Sequence, residues 1–186
     1  VFAGSLDERN GAHLLIPLVQ LVKVKFPSCH LTVIGRGPLQ EVIRESIDRL
    51  ELDGHVTLVG FLESHADVTD LLRQAQIGLA PYPNLANSSF TQFADPSKIK
   101  DYLAAGLPVI STSEPPIADL LEEREAGVIC EPDPQTLADA VVALLSDEPR
   151  LHRYSNNAVD LAAEFTWDTL LQPLVKFISD PDDWRT

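Results

Sequence analysis

Short β-branched runs alternate with helical stretches along most of this chain, and no other property restricts its fold as tightly. Val1 to Ala3, His30 to Ile34, Val56 to Val59, Ile77 to Ala80, Val109 to Ser111 and Gly127 to Cys130 read as six strands. Helical periodicity runs from near Gly11 to before Pro27, where Pro17 either kinks the helix or delays its start. Further helices are expected over Pro38 to Leu50, Val68 to Gln74, Pro96 to Ala105 and Pro116 to Glu123. In the first of these, Leu39, Val42, Ile43, Ile47 and Leu50 share one face. Strands joined through helices run parallel, and a parallel sheet needs cover on both faces. After the last strand the chain is wholly helical, over Pro134 to Ser146, Pro149 to Glu164 and Thr166 to Ile178. The expected class is therefore α/β, a parallel sheet with helices on both faces and a helical C-terminal extension. In such sheets ligands bind beyond the carboxyl ends of the strands.

One segment at those ends combines two kinds of polar contact. In Asp95-Pro96-Ser97-Lys98-Ile99-Lys100-Asp101-Tyr102-Leu103-Ala104-Ala105-Gly106-Leu107-Pro108, Asp95 suits an N-cap and Pro96 the first helical position. Gly106 suits the left-handed residue past the end, and Pro108 stops continuation, which gives a helix of about ten residues. Free amides at Ser97 and Lys98, with the Lys98 ammonium, form an anion site. Asp101 lies one turn further along the same face, spaced to meet a sugar hydroxyl. The plainer alternative is an ordinary ion pair between Lys98 and Asp101 on a solvated helix.

Composition narrows the partners. A formal net charge of −14 opposes binding to nucleic acid or anionic lipid, so a cationic pocket works against its background. Cys29 and Cys130 are far apart and fit two buried thiols in a reducing compartment, and the five histidines show no zinc-type spacing. No cofactor or metal is expected. No apolar stretch nears the roughly 20 residues that span a bilayer. With 186 residues and 45% hydrophobic content, one domain with a sizeable core is expected. The chain opens inside a strand and contains no methionine, which reads as a piece of a longer polypeptide.

The Pro-Ser-Lys-x-x-x-Tyr-Leu-Ala-Ala-Gly-x-Pro-Val-Ile pattern from Pro96 to Ile110 resembles the nucleotide-sugar-binding half of the group 1 retaining glycosyltransferases, which have the two-Rossmann-domain (GT-B) fold. Further matches run along the chain in order. Val33-Ile34-Gly35-Arg36-Gly37-Pro38 is similar to that family's second strand and turn. Val59-Gly60-Phe61, Asp70-Leu71-Leu72 and Ala75 to Pro81 are similar to its middle. Gly127-Val128-Ile129 with Pro132, Leu137, Leu144 and Leu145, and then Phe165-Thr166-Trp167, are similar to its closing elements. The resemblance implies a Rossmann-like donor-binding domain over 1–178, a polar tail over 179–186, and an N-terminal acceptor domain outside this chain. It also implies transfer of a sugar from a nucleoside-diphosphate sugar in glycan or polysaccharide biosynthesis. The enzyme would be cytoplasmic, inactive as this half alone, partnered by its own N-terminal domain, and in contact with membrane only through parts outside this chain.

Site residues carried over by the resemblance are Gly4 and Ser5 after the first strand, Gly35 and Arg36 after the second, and Phe61 and Leu62 after the third. Ser97, Lys98 and Asp101 complete the set. Lys98 is the catalytic cation that stabilises the departing diphosphate, and Arg9, one residue from a position where the family carries a cation, is the candidate to compensate beside it. Gly35-Arg36-Gly37 reads either as a tight turn or as a border of the nucleobase site. Phe61 reads either as that border or as core. Two departures stand out: Ser5 and Asn10 occupy positions where the family carries an arginine and a lysine, and Phe93 replaces the first of its paired glutamates, Asp101 being the second. These departures support an alternative, a degenerate module that binds a nucleotide sugar without turnover. A phosphoacceptor receiver domain fits poorly, because Gly4-Ser5 and Gly60-Phe61 stand where its aspartates belong. The polar segment from Pro81 to Phe93 is long enough to be a binding loop, and it includes the glycosylation-type triplet Asn87-Ser88-Ser89.

Overall fold

The computed structural model describes residues 1–84 and 93–179. Most of the 81–93 loop, its Asn87-Ser88-Ser89 triplet and nearly all of the 179–186 tail lie outside the described residues. The described elements alternate as expected. They are β1 (Phe2–Ala3), α1 (Leu15–Lys25), β2 (Leu31–Ile34), α2 (Gln40–Arg49), β3 (Val56–Gly60), α3 (His65–Leu72), β4 (Gly78–Ala80), α4 (Ser97–Ala104), β5 (Val109–Ser111), α5 (Ala118–Glu123), β6 (Gly127–Ile129), α6 (Pro134–Leu145), α7 (Glu148–Ala162) and α8 (Trp167–Ser179). A 3-10 turn over Ala12–Leu14 carries the chain into α1, so Pro17 sits in the first turn of that helix and delays its start.

All strand pairs are parallel, in two three-stranded sheets ordered β1-β2-β3 and β4-β5-β6. The two sheets meet at β1 and β4, where the Leu79 amide donates to the Val1 carbonyl at 2.8 Å and the Val1 nitrogen donates to the Ile77 carbonyl at 2.8 Å. The buried Tyr102 hydroxyl staples the same junction, accepting from the Ala3 amide at 2.7 Å and donating to the Leu79 carbonyl at 3.2 Å. Strand order across the junction is therefore 3-2-1-4-5-6, and it reverses between β1 and β4. Crevices open at such reversals.

Strand alternation divides the core between the two faces. Val33, Leu79 and Ile110 pack with Leu15, Leu18, Val19, Val22, Leu137 and Val141, which places α1 and α6 on one face. Ile34, Ala80 and Val109 pack with Ile99, Leu103, Leu121, Ala158 and Leu161, which places α4, α5 and α7 on the other. In α2, Ile43 and Ile47 are buried, but Val42 is exposed; the apolar stripe is narrower than the periodicity implied. Cys29 and Cys130 are free thiols, half-buried where buried ones were expected. The helix α8 touches the 3-10 turn Ala163–Phe165 and leaves Trp167, Leu174 and Ile178 exposed. Among the described residues no helix is long and apolar enough to cross a membrane.

Candidate active site

Two loops face each other across the β1/β4 junction, and glycine lets them touch. Gly11 has φ 73°, and a Cβ there would lie 1.9 Å from the Pro81 carbonyl oxygen, so the loop after β1 rests directly on the loop after β4. On the other side, Gly35 has φ 131°, and a Cβ there would lie 1.9 Å from the Gly4 carbonyl oxygen. The Leu6 amide donates to the Arg36 carbonyl at 3.1 Å and the Leu39 amide to the Leu6 carbonyl at 2.9 Å. Gly35-Arg36-Gly37 is thus a tight turn, seated against Gly4-Ser5-Leu6.

Into this junction α4 directs Lys98. Its ammonium donates to Asn10 Oδ1 at 2.6 Å and lies 4.8 Å from the Phe2 ring centroid and 5.0 Å from that of Tyr82. A Cβ on Gly4 would stand 2.8 Å from Lys98 Nζ, so glycine leaves the space that the ammonium uses. Burial pulls the Lys98 pKa down to about 8, opposed by the negative charge of Asp7. Asn10 Nδ2 and the Asn10 amide each donate to Asp7 Oδ1 at 2.9 Å. Although burial opposes its ionisation, these bonds, a further one from Ser5 and the charge of Arg9 hold the Asp7 carboxyl below the usual carboxylate range.

The helix itself differs from expectation at its start. Pro96, with ψ 110°, stays extended and caps α4, so helical residues run only from Ser97 to Ala104. Asp95 makes no capping bond; its carboxylate pairs with Lys100 instead. The amide of Ile99 bonds back to the Pro96 carbonyl at 3.1 Å, which leaves those of Ser97 and Lys98 without an intrahelical acceptor. Gly106 takes the left-handed conformation at φ 76°, as its position past the helix end requires.

The plainer alternative, an ion pair between Lys98 and Asp101, does not form. Lys98 turns toward β1, whereas Asp101 faces α3 and meets His65 Nε2 at 3.3 Å. Phe61 is not core: it is largely exposed, with the Arg36 guanidinium 4.7 Å from its ring centroid. Leu62 is half-buried beside it, Ser97 and Arg9 are exposed, and Phe93 projects into solvent. The structure thus gathers Gly4, Gly35 and Lys98 at the β1/β4 junction, with Arg36 and Phe61 on the rim, and sets Asp101 apart with His65. Sequence reasoning treated Asn10 as a lost cation and passed over Asp7, Tyr82 and His65. For Asn10 a signal existed, since Asp-x-x-Asn is the spacing of a turn closed by an aspartate side chain.

A family model described as glycosyl transferases group 1 matches residues 1–147. This chain belongs to the group 1 glycosyl transferases. It is 28% identical over 146 residues to the putative colanic acid biosynthesis glycosyltransferase WcaL of Salmonella typhimurium, covering 78% of this chain and 34% of that protein. The chain therefore spans about a third of the length of such a relative. A structure of the C-terminal domain of the group 1 glycosyl transferase LpcC from Francisella tularensis superimposes with a TM-score of 0.74 at 19% identity, covering 88% of this chain and 83% of that one. The HepE protein of Anabaena, solved in complex with UDP, superimposes with a TM-score of 0.75 at 21% identity over 96% of this chain and 47% of its own. Both structures share the fold of this chain, LpcC through its C-terminal domain.

Proposed function

We propose that this group 1 glycosyl transferase chain is the donor-binding half of a retaining enzyme that takes its sugar from a nucleoside-diphosphate sugar. The observation that carries the reading is the Lys98 ammonium, held where strand order reverses by a helix whose first two amides have no intrahelical acceptor. Desolvated cations and oriented amides stabilise the negative charge that grows on a departing diphosphate. In the reaction the bond from the anomeric carbon to the diphosphate breaks, and a bond to an acceptor hydroxyl forms on the same face as that hydroxyl loses its proton. Arg9 at the mouth adds a second positive charge, Asp101 accepts from the ribose diol, and Arg36 and Phe61 border the base. Gly4, Ser5, Gly35, Leu62 and Ser97 complete the contact surface. UDP bound by the similarly folded HepE supports a nucleotide ligand, and WcaL, named for colanic acid biosynthesis, supports a place in polysaccharide synthesis; the reading places the enzyme in the cytoplasm.

The domain in this reading runs over 1–178, and a second, N-terminal half closes the cleft. The exposed Trp167, Leu174 and Ile178 of α8 support such a partner, since a stripe of this kind is covered in most stable folds. A second reading, a module that binds the nucleotide sugar but does not turn it over, is favoured by Asn10 where the family carries a cation. Incubating the full-length protein with UDP-, GDP- and ADP-sugars and following both nucleotide release and the anomeric configuration of the product separates the two. Release with retained configuration supports the enzyme, binding without release supports the module, and neither binding nor release overturns both.

A further inference from the structure

A cavity of about 500 Å³ between Leu31, Ile77 and Val141 opens at the far end of the sheet from Lys98, too remote to touch a ligand held there. The cluster that carries an inference is Asp7, Asn10 and Lys98. Asn10 is half-buried, and its side-chain amide has both ends committed: Oδ1 to the Lys98 ammonium at 2.6 Å and Nδ2 to Asp7 Oδ1 at 2.9 Å. Only this orientation of the amide satisfies both neighbours, because an ammonium offers no acceptor and an ionised carboxylate offers no donor. Asp7 is itself held in place, since the same Oδ1 also accepts the Asn10 backbone amide at 2.9 Å. Among the described residues the Phe2 and Tyr82 rings and the bare backbone of Gly4 also border the ammonium.

We propose that Asp7 and Asn10 are positioning residues that aim the Lys98 ammonium at the donor's phosphates, so that Asn10 replaces a second cation with orientation. This rests on the reading of Lys98 as the phosphate ligand. Counting charges alone gives opposite expectations. By charge, Asp7 is an intruder in an anion site, and a lysine at position 10 would restore what the site lacks. By the relay, Asp7→Asn removes the acceptor that sets the amide, and Asn10→Lys deprives Lys98 of its acceptor and puts a second ammonium where Oδ1 now accepts, in a desolvated box.

The relay also predicts a pH signature. The charged groups that face Lys98 are Asp7 and, behind it, Arg9 in the loop after β1, with the Tyr82 phenol after β4; on its own helix, Lys100 is engaged by Asp95 and Asp101 by His65. Loss of the Asn10 acceptor disfavours the protonated ammonium, so affinity for a phosphate ligand fails at lower pH. Above about pH 7 the nucleotide's own phosphate charge is nearly constant, since its last proton leaves near pH 6. The alkaline limb therefore belongs to the protein throughout for ADP, whose base has no acidic ring proton, and for UDP and GDP below the pH at which uracil N3 or guanine N1 ionises.

The test is UDP affinity of the full-length protein by calorimetry from about pH 7 to about pH 9.5, with GDP and ADP as alternatives, for wild type, Asn10→Ala, Asn10→Lys and Asp7→Asn. A melting curve for each variant establishes folding. The relay predicts roughly tenfold weaker binding in all three variants at neutral pH, and an alkaline limb displaced to lower pH in Asn10→Ala. Unchanged or tighter binding by Asn10→Lys or Asp7→Asn, or an unmoved limb in Asn10→Ala, overturns it while the phosphate reading of Lys98 stands. Failure of wild type to bind any of the three nucleotides overturns both.

Discussion

Replacing Lys98 with methionine should make the protein more stable while removing its ligand. Methionine keeps the apolar stem that lies along Phe2 and Tyr82 but carries no charge into the site. Burial lowers the Lys98 pKa from 10.5 to about 8, a drop of about 2.5, so holding the ammonium charged costs the folded state roughly 3 kcal/mol at neutral pH. Against this stand the lost bond to Asn10 and the stranding of its carbonyl, about 1–2 kcal/mol together. The net expectation is a gain of about 1–2 kcal/mol, which for a chain of this size raises Tm by about 3–6 °C. The sign of the pH dependence follows from the direction of the shift. The folded pKa lies below the unfolded one, so between about pH 8 and pH 10.5 the unfolded chain binds more protons, and the Lys98 contribution to stability rises with pH. The methionine variant's advantage should therefore be full below pH 8 and shrink through that window. Urea titrations of both proteins at about pH 7 and about pH 10 measure it. An Lys98→Met variant less stable than wild type at neutral pH, or an advantage of equal size at both pH values, refutes the reasoning.

The same contacts have other consequences. Gly35→Ala should cost about 3 kcal/mol or more and abolish nucleotide binding, because its methyl would lie 1.9 Å from the Gly4 carbonyl oxygen at a φ of 131°; urea titration with a binding assay reads both. Tyr102→Phe strands the Ala3 amide at the β1/β4 junction and should cost about 1–3 kcal/mol by the same titration, with an unchanged slope showing that the fold survives. Asp133→Ala removes the cap that accepts from the Gln135 and Thr136 amides at 3.0 Å each, and should lower the Tm in thermal melts without changing nucleotide affinity. Asp101→Ala should weaken UDP binding more than 2′-deoxy-UDP binding, whereas equal losses in the two titrations would remove Asp101 from the ribose contact.

The fold was legible because its signals are local. Each strand lies in a short, mostly apolar run between helical stretches, and a misjudged end shifts it by a residue or two without changing strand order. Boundaries failed where a cap competed with another partner. Asp95 had the right position to cap α4, but Lys100 on the following turn captures its carboxylate, and Pro96 remains extended. Conversely, α3 begins at His65 because Ser64 accepts from the Asp67 amide at 3.3 Å, a capping signature that periodicity alone passed over. The site was only half legible. Lys98 and the glycines stand in recognisable patterns, but the partner of Lys98 is 88 residues away in sequence, and that of Asp101 is 36 residues away. The first pairing is made where β1 meets β4 and the second where α4 meets α3, and neither has a local spacing. Asn10, read in isolation, was a missing charge; only the packed loops make it the acceptor for the charge that remains.

The central claim is that the crevice between β1 and β4 binds a nucleoside diphosphate through Lys98. Calorimetric titration of UDP, with GDP and ADP alongside, into wild type and Lys98→Ala at neutral pH tests it most directly. The account predicts saturable binding of at least one of the three by wild type and a loss of at least about tenfold in the variant, larger than for any other single substitution in this domain. Binding that is the same in both proteins, or no binding to wild type, contradicts it.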